Sequence, residues 1–534
     1  MNLSQFFRHW AITENPFRGE EARNDVVLQR LRFAAEQSPA TGTPLTSAAK
    51  GPSGAGGAVT LGSVHSDFEK ILGELTRPST SVVFGEKGSG KTAIKLQILG
   101  RIEAHNRRRP DAKVLVVPYD ELNPYIAELH ERYGNNRDPL TPFRKVRLVD
   151  HMDAVLSIAT DRLVAGLFRE GPDRDAVEMP DGYVKTIRAL PLPTRLDLLV
   201  LQALYDPADV GGERTAKMRR LLRLPLGRAR AVWNALTVVG WVPAVAIGVL
   251  AAINSSAVLG YVAGGLGLLY LGVIVKTLVF DRLRVRMLAR RVRSEMRTLP
   301  RNFESLARSL DQLESGQQSD RTLPAGIPGG AAADEPRYHL MGTVRRVLAK
   351  FGYTGMLVLI DRVDEPTLVN GDAEKMRELM WPLFNNKFLQ QDGLGVKMLL
   401  PIELRHALFR ESAAFFQEAR LDKQSLVERL TWTGPMLYDL CNARLHACRE
   451  PSAEPISLID LFAEDVSRGD VVEALDQMHQ PRDAFKMLYR CMNEHCAGVT
   501  AEESAWQIPK HVLDQVRRIE SDRVQSLYRG IGPA

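Results

Sequence analysis

The sequence predicts an α/β fold, a parallel sheet flanked by helices, with a membrane-spanning helical hairpin inserted into it and a helical, lid-like C-terminal region. Three observations carry this. An apolar, β-branched run, Val82-Val83-Phe84, feeds the loop Gly85-Glu86-Lys87-Gly88-Ser89-Gly90-Lys91-Thr92, and helix-forming residues follow. A second apolar run, Met356 to Ile360, ends in Asp361. Between the two, no residue from Ala231 to Val275 is charged.

The first run reads G-x-x-x-x-G-K-T between a strand and a helix, the setting of a phosphate-binding P-loop. Its glycines let successive backbone N–H groups turn inward around a phosphate, and the helix N-terminus adds positive potential. On this reading Gly85 to Thr92 bind a nucleoside triphosphate. Lys91 reaches the β- and γ-phosphates, and the Thr92 hydroxyl meets Mg²⁺. No Asn-Lys-x-Asp pattern specifying guanine is present, so ATP is the expected nucleotide.

At 534 residues, 45% hydrophobic and 25% charged, the chain has the make-up of a globular protein of several folded units. The four cysteines, Cys441, Cys448, Cys491 and Cys496, show no C-x-x-C spacing and no flanking His pair. They read as reduced thiols and not as a zinc site. Residues 1–17 lack the sustained apolar core of a secretory signal.

Around Asn254-Ser255-Ser256 the segment divides into apolar runs 231–253 and 257–280, the second taking in Lys276 near its end. Each exceeds the ~20 residues that a helix needs to cross a ~30 Å hydrocarbon layer. Pro243 is expected to kink the first span, and Gly260, Gly264, Gly265 and Gly267 to offer a small-residue face. Arg214, Lys217, Arg219, Arg220, Arg223, Arg228 and Arg230 precede the runs, and Lys276, Arg282, Arg284, Arg286, Arg290, Arg291, Arg293 and Arg297 end or follow them. The positive-inside rule then puts both termini in the cytoplasm, at an inner or plasma membrane. The net charge of +6 is thereby read as a contact with anionic lipid head groups and not as a nucleic-acid surface. Two spans without an intramembrane charge offer no path for a transported solute.

In the second half, the Asp361 run has the form of a buried parallel strand that delivers a carboxylate to the carboxyl edge of its sheet. There Asp361 holds Mg²⁺ together with Thr92. Arg362 follows it, so the groups expected to orient or deprotonate water are Glu365, the preferred one, and Asp364. Residues 113–118 and 395–401 read as further strands, and 374–388 as the helix before the last of them. Glu403 and Arg405 stand where a γ-phosphate sensor would sit, although an ordinary ion pair explains either.

A P-loop, an Asp-ended strand with Asp364-Glu365 behind it, and a membrane hairpin inserted between the two resemble the KAP-type P-loop NTPases. These belong to the STAND, AAA+-like group of signalling ATPases. The resemblance implies ATP hydrolysis coupled to signalling or assembly, with a homo-oligomer or a protein partner. Thr13-Glu14-Asn15-Pro16-Phe17 resembles the start of AAA+ modules, near the adenine. Arg482, behind Pro481 at a helix start, resembles a sensor-2 residue reaching the γ-phosphate; an exposed Arg in a helix cap is the competing reading. Arg420 or Arg444 resembles an arginine finger.

The expected organisation is an N-terminal segment of the NTPase module (1–36), a linker (37–62), the first part of the NTPase core (63–134), a helical insertion (135–230), the hairpin (231–280), a basic juxtamembrane helix (281–314), a second linker (315–335), the second part of the core (336–431) and a helical lid (432–534). The leading functional expectation is a membrane-anchored ATPase. The alternatives are a non-hydrolysing nucleotide-gated scaffold and, behind it, a DNA-associated ATPase that lacks any nucleic-acid motif.

Overall fold

The computed structural model describes residues 1–18, 24–37, 65–134, 138–170, 176–224, 228–313, 335–500 and 505–528. The expected linkers, 37–62 and 315–335, lie outside the described residues apart from Gln37 and Glu335.

The expected strands form, and one more joins them. β1 (Ser81–Gly85), β2 (Lys113–Tyr119), β3 (Tyr353–Ile360), β4 (Leu394–Pro401) and β5 (Ser425–Val427) make a five-stranded parallel sheet in the order β2-β3-β4-β1-β5. Every residue of β1 and β4 is buried, which is why both read as unbroken apolar runs. β1 pairs with β4 from Ser81↔Lys397 to Gly85↔Pro401. β5 is three residues long, too short for a hydrophobic pattern to mark it. Because β4 lies between β1 and β3, the glycine loop and Asp361 leave the sheet at the same carboxyl edge.

The chain divides into two compact units. The first comprises Met1–Val116, Leu359–Asp364 and Leu389–Ala534. In it Phe6, Ile12, Phe17, Val27 and Leu31 share one core with Trp432, Leu437, Leu475, Met487 and Leu513. The N-terminal segment and the C-terminal helices, expected as separate pieces, are thus one packed body. Arg444 belongs to that packing. It lies 2% exposed, donates to Pro16 O at 2.7 Å and grips both Asp25 oxygens at 2.6 and 3.1 Å. A guanidinium so enclosed does not reach a neighbouring subunit, which corrects the arginine-finger expectation for this residue.

The second unit comprises Val117–Val358 and Glu365–Phe388. Its centre is the helix Leu148–Phe168, within the stretch 135–230 expected to be helical. This helix buries Asp153 against Arg337 Nε and Nη2, both at 2.7 Å, and against the Tyr205 hydroxyl, also at 2.7 Å. The single helix expected over 374–388 is instead Ala373–Met380, a 3₁₀ turn Trp381–Leu383 and a short helix Asn386–Leu389. Pro382 lacks the N–H and clashes with the preceding turn, so the helix stops there.

Two helices of this unit are long and apolar enough to cross a membrane, Ala235–Ile253 and Ala257–Glu295. The first contains a break at Gly240-Trp241, after which Pro243 opens the helix Val242–Ile253 from a position where its missing N–H costs nothing. The second runs on through a π-helical turn, Lys276–Phe280, into Asp281–Glu295. The pair approach through glycines of the first helix. A Cβ on Gly240 would meet Tyr270 at 3.1 Å, and one on Gly248 would meet Ala263 at 3.8 Å. A Cβ on Gly260, Gly264, Gly265 or Gly267 would meet nothing within 4 Å, so the small-residue face of the second helix points away from the first.

The basic flanks differ in role. Arg214 is paired with Glu170 and with Asp206, and Arg219 donates to Gln312 O at 2.7 Å, so both are engaged within the unit. Arg282, Arg284, Arg286, Arg290 and Arg291 are exposed along Asp281–Glu295, while Val285, Ala289 and Val292 of the same helix are buried.

Candidate functional site

The glycine loop needs backbone freedom at two places. Gly88 and Gly90 have φ of +97° and +91°, a region that residues with a Cβ seldom adopt. A Cβ on Gly88 would also stand 2.9 Å from Gln480 Oε1 and 3.2 Å from Arg482 Cβ. From Gly90 the chain enters the helix Lys91–Arg108. Backbone amides of Gly88, Gly90, Lys91 and Thr92 have no acceptor among the described residues, as expected of a helix start that faces an anion. The Ser89 hydroxyl is buried and has no hydrogen-bond partner there. Unsatisfied donors turned into one loop fit a phosphate chain.

Lys91 folds over this loop, donating to Gly85 O at 2.7 Å and Glu86 O at 2.9 Å. Burial holds its ammonium below the ordinary lysine range, against the opposing charges of Asp364, Asp361, Glu403 and Glu86. Thr92 Oγ1 donates to Asp361 Oδ2 at 3.4 Å, across 269 positions of sequence. Asp361 is 1% exposed; burial raises its carboxyl above the usual range, while Lys95, the Arg362 backbone amide, Lys91 and the Arg362 side chain pull it back. Arg362 itself has φ +60°, left-handed for a residue with a Cβ. Such strain costs on the order of 1–3 kcal/mol and collects at functional sites.

Among the described residues, no group of three or more His, Cys, Asp or Glu is arranged to hold a metal ion. A hydroxyl and one carboxylate suffice only when a ligand's phosphates complete the shell, which is how Mg²⁺ is usually held. The donor set fits that ion.

Of the two expected water-activating acids, Asp364 belongs to the unit of the loop, and its charge is the largest carboxylate influence on Lys91. Glu365 is exposed and belongs to the other unit. Arg405 is paired with Glu428 at 2.8 Å, the ordinary ion pair anticipated for it. Glu403 is exposed in the first turn of the helix Ile402–Leu408. Lys87 is exposed at the loop tip. Arg482, second residue of the helix Pro481–Gly498, lays its side chain across Gly88.

Four contributors had been missed. Trp432 Nε1 donates to Ser89 O at 2.9 Å; Arg429 pairs with Glu86 at 2.6 Å; Gln480 Nε2 also donates to Glu86. Nothing near these residues in sequence marks them as neighbours of the loop. The fourth, Lys95, was legible: one helical turn after Lys91, it shares that residue's face. Its Nζ lies 3.9 Å from Asp361 Oδ2.

Fold and site together define an α/β protein with a glycine-rich, cation-bearing loop and a buried aspartate at one edge of a parallel sheet. Compared with protein families, curated proteins and solved structures, the chain matches none.

Proposed function

We propose that the chain is a membrane-anchored P-loop ATPase of the KAP-type, AAA+-like group, binding Mg·ATP on the cytoplasmic side and coupling binding or hydrolysis to signalling or assembly. The observation that carries this reading is the meeting of Thr92 and Asp361 at 3.4 Å beside the amide-lined loop. Gly88, Ser89, Gly90 and Lys91 cradle the phosphates, and Glu86 braces the cradle through Arg429 and Gln480. Lys91 offsets charge that builds on the phosphoryl oxygens, and Arg482 reaches the same oxygens from the far side of Gly88. Thr92 and Asp361 hold the Mg²⁺, which when bound neutralises phosphate charge. Asp364 orients the attacking water and accepts its proton, in preference to Glu365.

Turnover tests the hydrolytic part. Asp364→Asn is expected to keep ATP binding in the detergent-solubilised full chain and lower kcat by about 100-fold or more. Full turnover in that variant would remove Asp364 from the mechanism. Arg362, standing directly after Asp361 where many AAA+ ATPases carry a glutamate, favours the non-hydrolysing scaffold as second reading. ATP binding by the wild type with no stimulated turnover under any condition would decide for it.

Membrane insertion is supported by the two apolar helices and by the exposure of Val258, Tyr261, Leu268 and Leu269. The exposed arginines of Asp281–Glu295 suit anionic head groups at the cytoplasmic surface. The full chain should stay with membranes through an alkaline carbonate wash, and removal of 235–275 should release it. Release of the intact chain by the wash would overturn the insertion.

A further inference from the structure

Thr92 and Lys95 converge on one atom. Thr92 Oγ1 stands 3.4 Å, and Lys95 Nζ 3.9 Å, from the same Asp361 oxygen, Oδ2. Both side chains of the Lys95–Asp361 pair are almost wholly enclosed, 5% and 1% exposed. At that separation in a protein interior, a full positive charge acts strongly on whatever else approaches the carboxylate. Lys95 sits on the helix Lys91–Arg108, one turn from Lys91, and is packed at 4% exposure. The aspartate that should attract a divalent cation thus already faces an ammonium from within the chain.

Resting on the ATP reading above, we propose that Lys95 is a positioning residue that stands in for part of the metal's charge, so that triphosphate binding at this site depends only weakly on a divalent cation. The phosphates meet Lys91, Arg482 and the amide-lined loop whether or not a metal accompanies them. Asp361, screened by Lys95, repels them little when the metal is absent. Without the Lys95 charge, the same buried carboxylate repels a metal-free triphosphate and attracts a metal-bound one. Lys95 therefore sets the ratio of the two affinities.

The experiment measures binding of a fluorescent ATP analogue to the detergent-solubilised full chain, at saturating Mg²⁺ and again in EDTA. The wild type is expected to lose no more than about tenfold in affinity on chelation. Lys95→Met, close in volume and uncharged, should lose at least about tenfold more than the wild type does, and Lys95→Arg should restore the wild-type ratio. A wild type whose affinity falls about 1,000-fold in EDTA, or a folded Lys95→Met with the wild-type ratio, overturns the inference. Should Lys95→Met fail to fold by thermal melting, Lys95→Gln, also uncharged, takes its place with the same two outcomes. Absence of binding by the wild type in both conditions is a different result, since it removes the ATP reading itself.

Discussion

Lys91→Ala is expected to lose at least about 100-fold in affinity for Mg·ATP, with turnover falling below detection. The ammonium lies among four carboxylates, Asp364, Asp361, Glu403 and Glu86, all of which act on it. It is also tied to the carbonyls of Gly85 and Glu86 at 2.7 and 2.9 Å. On the proposed ATP reading, removing it deletes the contact with the phosphates and leaves those acids facing a highly charged anion. Both changes oppose binding. Titration of wild type and variant with a fluorescent ATP analogue checks the outcome, with thermal melting to show that the variant folds. Affinity within about threefold of wild type would defeat the nucleotide assignment.

The second large effect is on stability and comes from Lys397. This lysine sits in β4, between β1 and β3, and is fully buried. Its Nζ has no hydrogen-bond partner among the described residues; a Cβ on Gly73 would stand 3.8 Å from it. Burial alone pushes its ammonium down to about 7, and no neighbouring charge contributes. An unfolded chain holds that proton up to about 10.4. Between the two values the unfolded state binds a proton that the folded state does not, so stability from this group rises with pH across that window. Below about 7 the penalty is complete, and above about 10.4 it has vanished.

Lys397→Met should therefore stabilise the protein by on the order of 3–5 kcal/mol at pH 6, seen as a Tm higher by several degrees. The gain should shrink steadily toward pH 10. Thermal unfolding of both forms across this range is the measurement. A gain independent of pH, or a loss of stability in the variant, would contradict the account.

Much of the architecture was legible because its causes are local. A G-x-x-x-x-G-K-T loop demands glycines where the backbone turns left-handed, and Gly88 and Gly90 do so. Fully buried parallel strands cannot carry alternating polar residues, which made β1, the end of β3 and most of β4 stand out. Two long uncharged runs announce membrane-length helices wherever they occur. The exceptions are equally physical. β5 is too short to show a period, and Pro382 ended a helix that the surrounding residues would have continued. The burial of Lys397 follows from sheet order, which places β4 between two neighbours, and not from its sequence surroundings.

The candidate site divides in the same way. Gly85 to Thr92 and Asp361 were named from their own surroundings. Their meeting was expected as well, through the ion that Thr92 and Asp361 were read to share; the bracing of Glu86 and Ser89 by Arg429, Gln480 and Trp432, and the enclosure of Arg444 by Asp25, were not. By itself the sequence determined which segments turn, extend or form long apolar helices, because backbone conformation and side-chain periodicity are set by residues within a turn or two. Only the tertiary structure decided which charges face one another, because Coulombic and packing contacts depend on distance in space, and residues hundreds of positions apart carry no local mark of their partners.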